Sequence, residues 1–128
     1  MPEERFSITN KTRGKIPPVR FDVMKKAVLG EKYSLSLVFI REKKSAELNN
    51  SYRKKNKPTN ILSFPLDKNN GEIFITLSLT RKEAVLFERK PDNFVAFLFI
   101  HGLLHLKGMK HGSTMEKAEA KLRRQFRV

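Results

Sequence analysis

The chain has 128 residues and a formal net charge of +14, from 27 Lys and Arg against 13 Asp and Glu. Its length suits one domain with a substantial hydrophobic core, and we predict a single domain over residues 1–128. The sequence has no cysteine, which excludes disulfides and thiolate metal ligands. No apolar stretch reaches the roughly 18–20 residues of a membrane helix, and the charged N-terminal region lacks the apolar run of a secretory signal. These features predict a cytoplasmic protein without a membrane partner.

The positive charge favours a polyanionic partner. A pI near 10.3 implies a surface potential that concentrates nucleic acid around the domain, and binding to phosphates releases counterions. A basic surface that is merely solvated is one alternative. An anionic membrane is a weaker one, because no basic helix shows a wide apolar face. Charge therefore favours a nucleic-acid partner.

The N-terminal quarter predicts a strand and then a helix. Phe6 and Ile8 alternate with polar residues, which indicates a short strand. The segment after Pro17 and Pro18 predicts a helix that ends at Gly30. Its apolar residues recur at helical spacing: Val19, Val23, Ala27 and Val28.

The next two elements are predicted as a strand and a polar helix. Tyr33 to Ile40 is aliphatic and aromatic with partial alternation, as in a strand. Glu42 to Asn56 is mostly polar, but Leu48 and Tyr52 lie four positions apart and would share a helical face. We therefore predict a helix there.

The middle of the chain predicts two more strands. After a break at 58–60, the segment Ile61 to Leu66 is typical of a strand, and Pro65 restricts it to a sheet edge or ends it. Residues 67–71 have the composition of a turn. The segment GEIFITLSL, residues 71–79, then predicts another strand.

The C-terminal half predicts helices. Thr80 and Glu83 have the spacing of a capping box that would open a short helix over 81–87. The segment from Asn93 to about Lys107 is apolar on all sides, which predicts a buried helix. It is expected to end at Gly108.

Ser113 and Glu116 form a second candidate capping box, for a last helix ending near Phe126. Together the elements predict an α+β fold: a single domain with a mixed sheet of about four strands packed with helices. A buried central helix of this domain carries two of the three histidines.

The histidines are the strongest chemical signal in the sequence. All three lie in the segment HGLLHLKGMKH, at His101, His105 and His111. Two histidines four apart share one face of a helix, and a reversal at Gly108 can return the third to the same point. Three imidazoles leave one position of a tetrahedral ion open for chemistry, and they suit zinc, with nickel, cobalt or copper as alternatives. The alternative, ordinary histidines on a buried helix, is disfavoured because an unpaired buried ring is costly.

The same segment matches the long zincin pattern H-E-x-x-H-x-x-G-x-x-H at every position except one. Gly102 stands where that pattern has its general-base glutamate. A peptidase of this type needs the carboxylate to activate water at the metal. Peptide hydrolysis is therefore disfavoured.

A second signal is the basic segment at 41–57. For Lys43 and Lys44 a solvated helix face is the preferred interpretation. The cations that lead into the Pro58-Thr59-Asn60 turn are instead candidate RNA contacts: Arg53, Lys54, Lys55 and Lys57. Arg53 stands out because a guanidinium can hold a phosphate with two parallel N–H bonds, which lysine cannot do.

Three blocks of the sequence resemble the YbeY family of bacterial metal-dependent RNA-processing proteins. The blocks are LNNSYRKKNKPTNILSFPLD, GEIFIT and HGLLHLKGMKH, in the family's order, and they lie between Leu48 and His111. The match is specific because the PTNILSFP block and the histidine block are independent signatures. One departure from the family matters: Lys110 stands where an acidic residue usually precedes the third histidine. Glu72, where Asp is commoner, is a milder change.

The resemblance implies a single-strand-specific endoribonuclease that acts in ribosomal RNA maturation, notably at the small-subunit 3′ end, and in ribosome quality control. It implies zinc on His101, His105 and His111 and a functional arginine at Arg53. The implied partners are RNA, in particular ribosomal RNA, and the small ribosomal subunit.

These elements lead to a mechanistic hypothesis with two rivals. Arg53 would stabilise charge developing on phosphorus, and His105 is counted as catalytic because its loss would abolish metal binding and cleavage together. No general base is evident, so the nucleophile is either activated water or the RNA 2′-OH.

The first rival is a non-catalytic, metal-stabilised ribosome assembly factor that binds RNA. The second is a metal-dependent hydrolase of another substrate.

Overall fold

The computed structural model describes residues 5–128. Within this range the chain forms four strands and five helices: β1 (Phe6–Asn10), α1 (Phe21–Leu29), β2 (Ser34–Ile40), α2 (Glu42–Arg53), β3 (Ile61–Asp67), β4 (Asn70–Thr76), α3 (Leu77–Leu86), α4 (Pro91–Leu106) and α5 (Ser113–Phe126). The predicted α+β class is confirmed. No helix in the described range is both long and apolar enough to span a bilayer.

The strands form one mixed sheet in the order β1-β2-β4-β3. β1 pairs with β2 and β2 with β4 in parallel, whereas β3 and β4 are antiparallel. β3 is therefore an edge strand, as Pro65 predicts, because proline has no amide hydrogen to donate to a further strand. The pairing becomes irregular between Pro65 and Asp67, where β3 ends.

Helix α4 lies against one face of the sheet at the centre of the domain. It contacts β3 and β4 and is flanked by α1, α3 and α5. Because neighbours surround it, apolar residues on all its sides are buried, including Phe99 and Leu103. The sheet contributes alternate side chains to this core: Leu35, Leu37, Phe39, Ile73 and Ile75.

Helix α2 lies on the opposite face of the sheet. The ring of Tyr52 is centred 4.5 Å from that of Phe64, and Phe64 is 5.7 Å from Phe74. Phe74 alternates along β4 with Ile73, which faces α4, so Phe74 points to the other side. The β3–β4 half of the sheet is therefore covered on both faces.

The predicted boundary between β4 and α3 is wrong. The strand ends at Thr76 instead of reaching residue 79, and α3 begins at once with Leu77. Thr80 is buried inside α3, where its hydroxyl donates to the Leu77 carbonyl at 2.7 Å. Glu83 accepts a hydrogen bond from Asn60 and takes no part in a capping box. The error arises because a short apolar run has the same pattern in a buried strand and in a helical turn.

The second predicted capping box is also wrong. Helix α5 begins at Ser113 itself, so Gly112 occupies the cap position and no side chain caps the helix. Ser113 lies one residue too far into the helix to bond to the free amides of the first turn.

Helix α1 is shorter than predicted, and the face that it buries differs from the predicted one. It begins at Phe21, after the two prolines and Val19 have formed an extended approach. Its buried apolar face consists of Phe21, Met24 and Val28, whereas Val23 is 42% exposed. A large aromatic ring, which buries more area than a valine, fixes which face turns inward.

Candidate metal centre and its cleft

The last turns of α4 and the loop that follows bring the three histidines together. His101 and His105 lie one turn apart on α4. The chain then reverses at Gly108, whose φ of 101° is a left-handed conformation that glycine adopts without strain. This reversal returns His111, in the loop before α5, to the side of the other two rings.

The three imidazoles could hold one metal ion. One ring nitrogen from each lies within 4.8 Å of those of the others. The Nε2 atoms of His101 and His105 are 2.9 Å apart, slightly closer than the roughly 3.3 Å expected for two nitrogens around a tetrahedral zinc. The donor set therefore fits a small divalent cation.

Hydrogen bonds at the far side of the His101 and His105 rings fix which nitrogen of each would face an ion. His101 Nδ1 contacts the Glu119 carboxylate, and His105 Nδ1 contacts the Met109 carbonyl at 3.1 Å. Both partners only accept hydrogen bonds, so each Nδ1 carries the proton and each Nε2 presents a lone pair. Two lone pairs facing each other repel unless a cation lies between them. This arrangement is typical of histidine metal ligands oriented by surrounding acceptors.

Burial supports the neutral form of His105. Desolvation lowers the pKa of His105 from its ordinary value, and the neighbouring His101 lowers it further. A neutral imidazole is the form that binds metal, because the ligand nitrogen must be unprotonated.

Glu119 is the site residue that sequence reasoning missed. Its side chain is only 18% exposed and projects from α5 towards His101. A signal was present: the inner face of α5 carries Met115, Ala118 and Leu122 at helical spacing, and position 119 belongs to that face. An acid among inward-facing apolar residues indicates a specific partner. Lys110, directly before the third histidine, is exposed.

The histidines line a cleft of about 580 Å³, which we call the histidine cleft. Arg53 lies in the wall of the same cleft. The remaining lining residues come from the turn before β3, from β3 itself and from α4 and α5: Thr59, Asn60, Ile61, Ser63, Phe97, Leu98 and Glu119. Lys54, Lys55 and Lys57 are exposed on the loop beyond Arg53 and are not among these lining residues.

The end of α2 places Arg53 at the cleft. The predicted helix reaches Asn56, but α2 ends at Arg53, because Lys54 adopts a left-handed conformation with φ 59°. Asn49 then donates to the Lys57 carbonyl at 2.9 Å. This bond pins the basic loop to the last turns of the helix.

Buried polar groups also hold the turn that precedes β3. Ser45 accepts a hydrogen bond from the Thr59 amide and donates one to the Thr59 carbonyl, both at 2.9 Å. Thr76 donates to that same carbonyl at 2.7 Å. These contacts tie the turn to α2 and β4 and fix the part of the cleft wall that Thr59 and Asn60 form.

The packing around Gly102 leaves no space for the glutamate that the zincin pattern has at this position. A Cβ atom at this position would lie 2.9 Å from both Ile61 Cδ1 and Ser63 Oγ and 3.2 Å from Ile73 Cδ1. The helix therefore packs this position tightly against β3 and β4, which leaves no room for a side chain. A glutamate here would be directed into the sheet, which agrees with the sequence argument against a peptidase.

Fold and site together define a small α+β domain in which three histidines that could hold a metal ion share a cleft with an arginine. Residues 4–127 match the family model described as Endoribonuclease YbeY. The chain belongs to the YbeY family, which confirms the resemblance inferred from its sequence blocks.

Relatives named Endoribonuclease YbeY support the assignment. The protein of Onion yellows phytoplasma (strain OY-M) is 36% identical over 121 residues, covering 87% of this chain and 83% of the relative. That of Aster yellows witches'-broom phytoplasma (strain AYWB) is 35% identical with the same coverage. That of Ehrlichia canis (strain Jake) is 43% identical over 88 residues, 65% of this chain and 57% of the relative.

A solved structure supports the fold. The solution structure of a protein from Thermotoga maritima superposes with a TM-score of 0.65 and covers 91% of this chain and 85% of its own. The two sequences are 22% identical. The likeness therefore concerns the architecture of the domain.

Proposed function

We propose that this chain is a single-strand-specific, metal-dependent endoribonuclease that acts in ribosomal RNA maturation at the small-subunit 3′ end and in ribosome quality control. The observation that carries the proposal is the meeting of three imidazoles and Arg53 in one cleft, in a chain that belongs to the YbeY family. The proposed partners stay predictions: they are ribosomal RNA and the small ribosomal subunit. A cytoplasmic location is also a prediction.

His101, His105 and His111 would hold the ion, with zinc as the expected metal and nickel or a similar transition metal as the alternative. When bound, the ion supplies Lewis acidity to a phosphate oxygen and to water. Glu119 keeps the proton of His101 on Nδ1, and the Met109 carbonyl does the same for His105. Both rings are thereby held with Nε2 towards the ion.

Arg53 would bind the phosphate from the opposite wall. Its guanidinium can donate two parallel hydrogen bonds to non-bridging oxygens, and it stabilises the charge that builds up on them during cleavage. The exposed Lys54, Lys55 and Lys57 would attract the rest of the strand through long-range electrostatics. Among residues 5–128, Glu119 is the one carboxylate that lines the histidine cleft, and it is already bonded to His101. We therefore expect the attacking oxygen to come from water or from the RNA 2′-OH, without a carboxylate base.

Metal analysis combined with RNA cleavage tests this function. The purified protein should contain about one transition-metal ion per chain and cut single-stranded RNA in preference to a duplex of the same sequence. His111→Ala should lose the metal and the cleavage together, because two imidazoles bind the ion more weakly than three. Cleavage that persists in this variant would indicate a contaminating nuclease. RNA binding without cleavage by the metal-loaded protein would favour the assembly-factor alternative.

A further inference from the structure

Two arginines meet on one aromatic ring beside the histidine cleft, and the proposed metal centre uses neither of them. The guanidinium carbon of Arg89 lies 4.6 Å from the centre of the Phe97 ring, and that of Arg123 lies 5.4 Å from it. Phe97 itself lines the histidine cleft. The two arginines are not among the residues that line the cleft, but both pack against an aromatic ring that is.

Helical spacing places this pair one turn from the metal centre. Phe97 precedes His101 by four residues on α4, so the two share a face. On α5, Glu119 contacts His101, and Arg123, four residues later, contacts Phe97. Four residues advance about 6 Å along a helix, and a duplex strand advances about 3.4 Å per nucleotide. The arginine pair is thus about one or two nucleotides from the histidines.

Neither arginine has an anionic partner within residues 5–128. The ion pairs formed in that range involve other cations. Arg89 donates to the neutral side-chain oxygen of Asn93, and Nε of Arg123 is buried without an acceptor among the described residues. Burial, and then the charge of Arg123, lower the pKa of Arg89 from its ordinary value. Two like charges with unused donors are unfavourable unless an anion joins them.

We propose that Arg89, Phe97 and Arg123 form a subsite that binds a backbone phosphate of single-stranded RNA next to the phosphate that is cut. The proposal rests on the proposed function, because an RNA strand that lies in the histidine cleft passes this ring. A phosphate there accepts hydrogen bonds from both guanidiniums and removes their mutual repulsion. Phe97 keeps the two side chains in place, and Asn93 orients Arg89. The subsite fixes the path of the strand without touching the metal ligands.

The first test measures RNA affinity against salt. A single-stranded 2′-O-methyl oligonucleotide, which has no free 2′-OH, is titrated with the metal-loaded protein in a fluorescence anisotropy assay. Arg89→Gln and Arg123→Gln should each raise Kd by about 3- to 10-fold and reduce the slope of log Kd against log salt by about 0.7. The matched control is Arg124→Gln, which removes one exposed charge from the same helix; its Kd should change less than about twofold.

The second test locates the phosphate. Single neutral methylphosphonate linkages are moved along the oligonucleotide, one position at a time. In the wild type, one linkage beside the scissile position should weaken binding by about 5- to 10-fold, and this penalty should vanish in the double variant Arg89→Gln/Arg123→Gln. A penalty that is unchanged in the double variant would overturn the subsite.

Further measurements separate this proposal from the proposed function. Metal content should stay normal in both arginine variants, and Arg123→Lys should restore the salt slope because it keeps the charge. If circular dichroism shows that Arg123→Gln does not fold, the RNA affinity and salt slope of Arg89→Gln alone test the subsite.

A double variant with the Kd and salt slope of the wild type overturns the subsite but not the proposed endoribonuclease function. A wild-type protein that binds no RNA overturns both. Weakened binding of poly-glutamate with unchanged RNA affinity would assign the pair to an acidic protein and also overturn the subsite.

Discussion

Two of the clefts formed by residues 5–128 are similar in size and lie on opposite faces of the sheet. The histidine cleft has a volume of about 580 Å³. The other, which we call the sheet-face cleft, has a volume of about 660 Å³ and an apolar floor of Val38, Ile40 and Phe74. Its rim carries four cations and two carboxylates: Lys11, Arg41, Lys43, Lys44, Glu47 and Glu72. By volume and by number of cations, the sheet-face cleft would be the better candidate for binding RNA.

The difference between the clefts lies in how their polar atoms are held. In the histidine cleft, the rings of His101 and His105 present their nitrogens to one place because each is anchored by an acceptor behind it. The lysines of the sheet-face cleft are exposed on flexible stems and share their rim with Glu47 and Glu72. Polar groups that converge on one point in fixed orientations favour catalysis, whereas dispersed surface charges mainly attract ions. Matched changes on the two sides of the sheet can test this distinction.

The largest effect is expected for His105→Ala. The variant removes one of the three proposed metal ligands and the bond to Met109, so it should lose the ion and reduce RNA cleavage by about 10³-fold or more. Metal content by mass spectrometry and single-turnover cleavage of single-stranded RNA measure both effects. Lys11→Ala, at the rim of the sheet-face cleft, should change neither. Normal metal content in His105→Ala would show that the ion binds elsewhere.

The next effect is expected for Arg53→Glu, compared with Arg41→Glu at the other end of α2. The two changes alter the charge equally, but only Arg53 lines the histidine cleft. Arg53→Glu should retain the metal and reduce the cleavage rate by about 10²- to 10³-fold, as expected when a donor to the developing charge is lost. Arg41→Glu should stay within about threefold of the wild-type cleavage rate. Equal losses in both variants would mean that net charge, not position, determines activity.

A smaller effect is expected for Glu119→Gln, with Glu47→Gln as the control. Glutamine keeps the shape but loses the charge that holds the Nδ1 proton of His101. The Kd for zinc should rise roughly 10- to 100-fold, as is typical when a partner of a metal ligand is changed. Competition titration with a chromogenic chelator measures this Kd. A zinc affinity equal to that of the control would show that Glu119 does not contribute to metal binding.

The sequence predicted the parts of the site that depend on short-range geometry. His101 and His105 share a face because a helix repeats every 3.6 residues, and Gly108 marks the reversal that returns His111. Pro65 identified the edge strand for a similar local reason, its missing amide hydrogen. In each case, neighbouring residues alone determine the outcome.

The parts that were missed depend on packing between distant elements. Glu119 meets His101 only because α5 crosses α4 in one register, and the same register brings Arg123 to Phe97. No local pattern encodes that alignment, although the inward position of Glu119 on α5 was a usable signal. The α3 boundary failed for a related reason, because the burial of Leu77 and Thr80 by tertiary contacts outweighed the local capping signal. The roles of Lys54, Lys55 and Lys57 stay predictions.

The smallest effect is expected for Lys43→Gln/Lys44→Gln, which removes two charges from the sheet-face cleft. Exposed charges more than about 8 Å from a ligand are largely screened at physiological salt. RNA affinity and cleavage at 150 mM salt should therefore stay within about twofold of the wild type, and the loss should grow as salt is lowered. Anisotropy titrations at two salt concentrations, with single-turnover cleavage alongside, measure both quantities. A tenfold loss at 150 mM would mean that RNA also crosses the sheet face, so that the two clefts would belong to one binding path around the β3 edge.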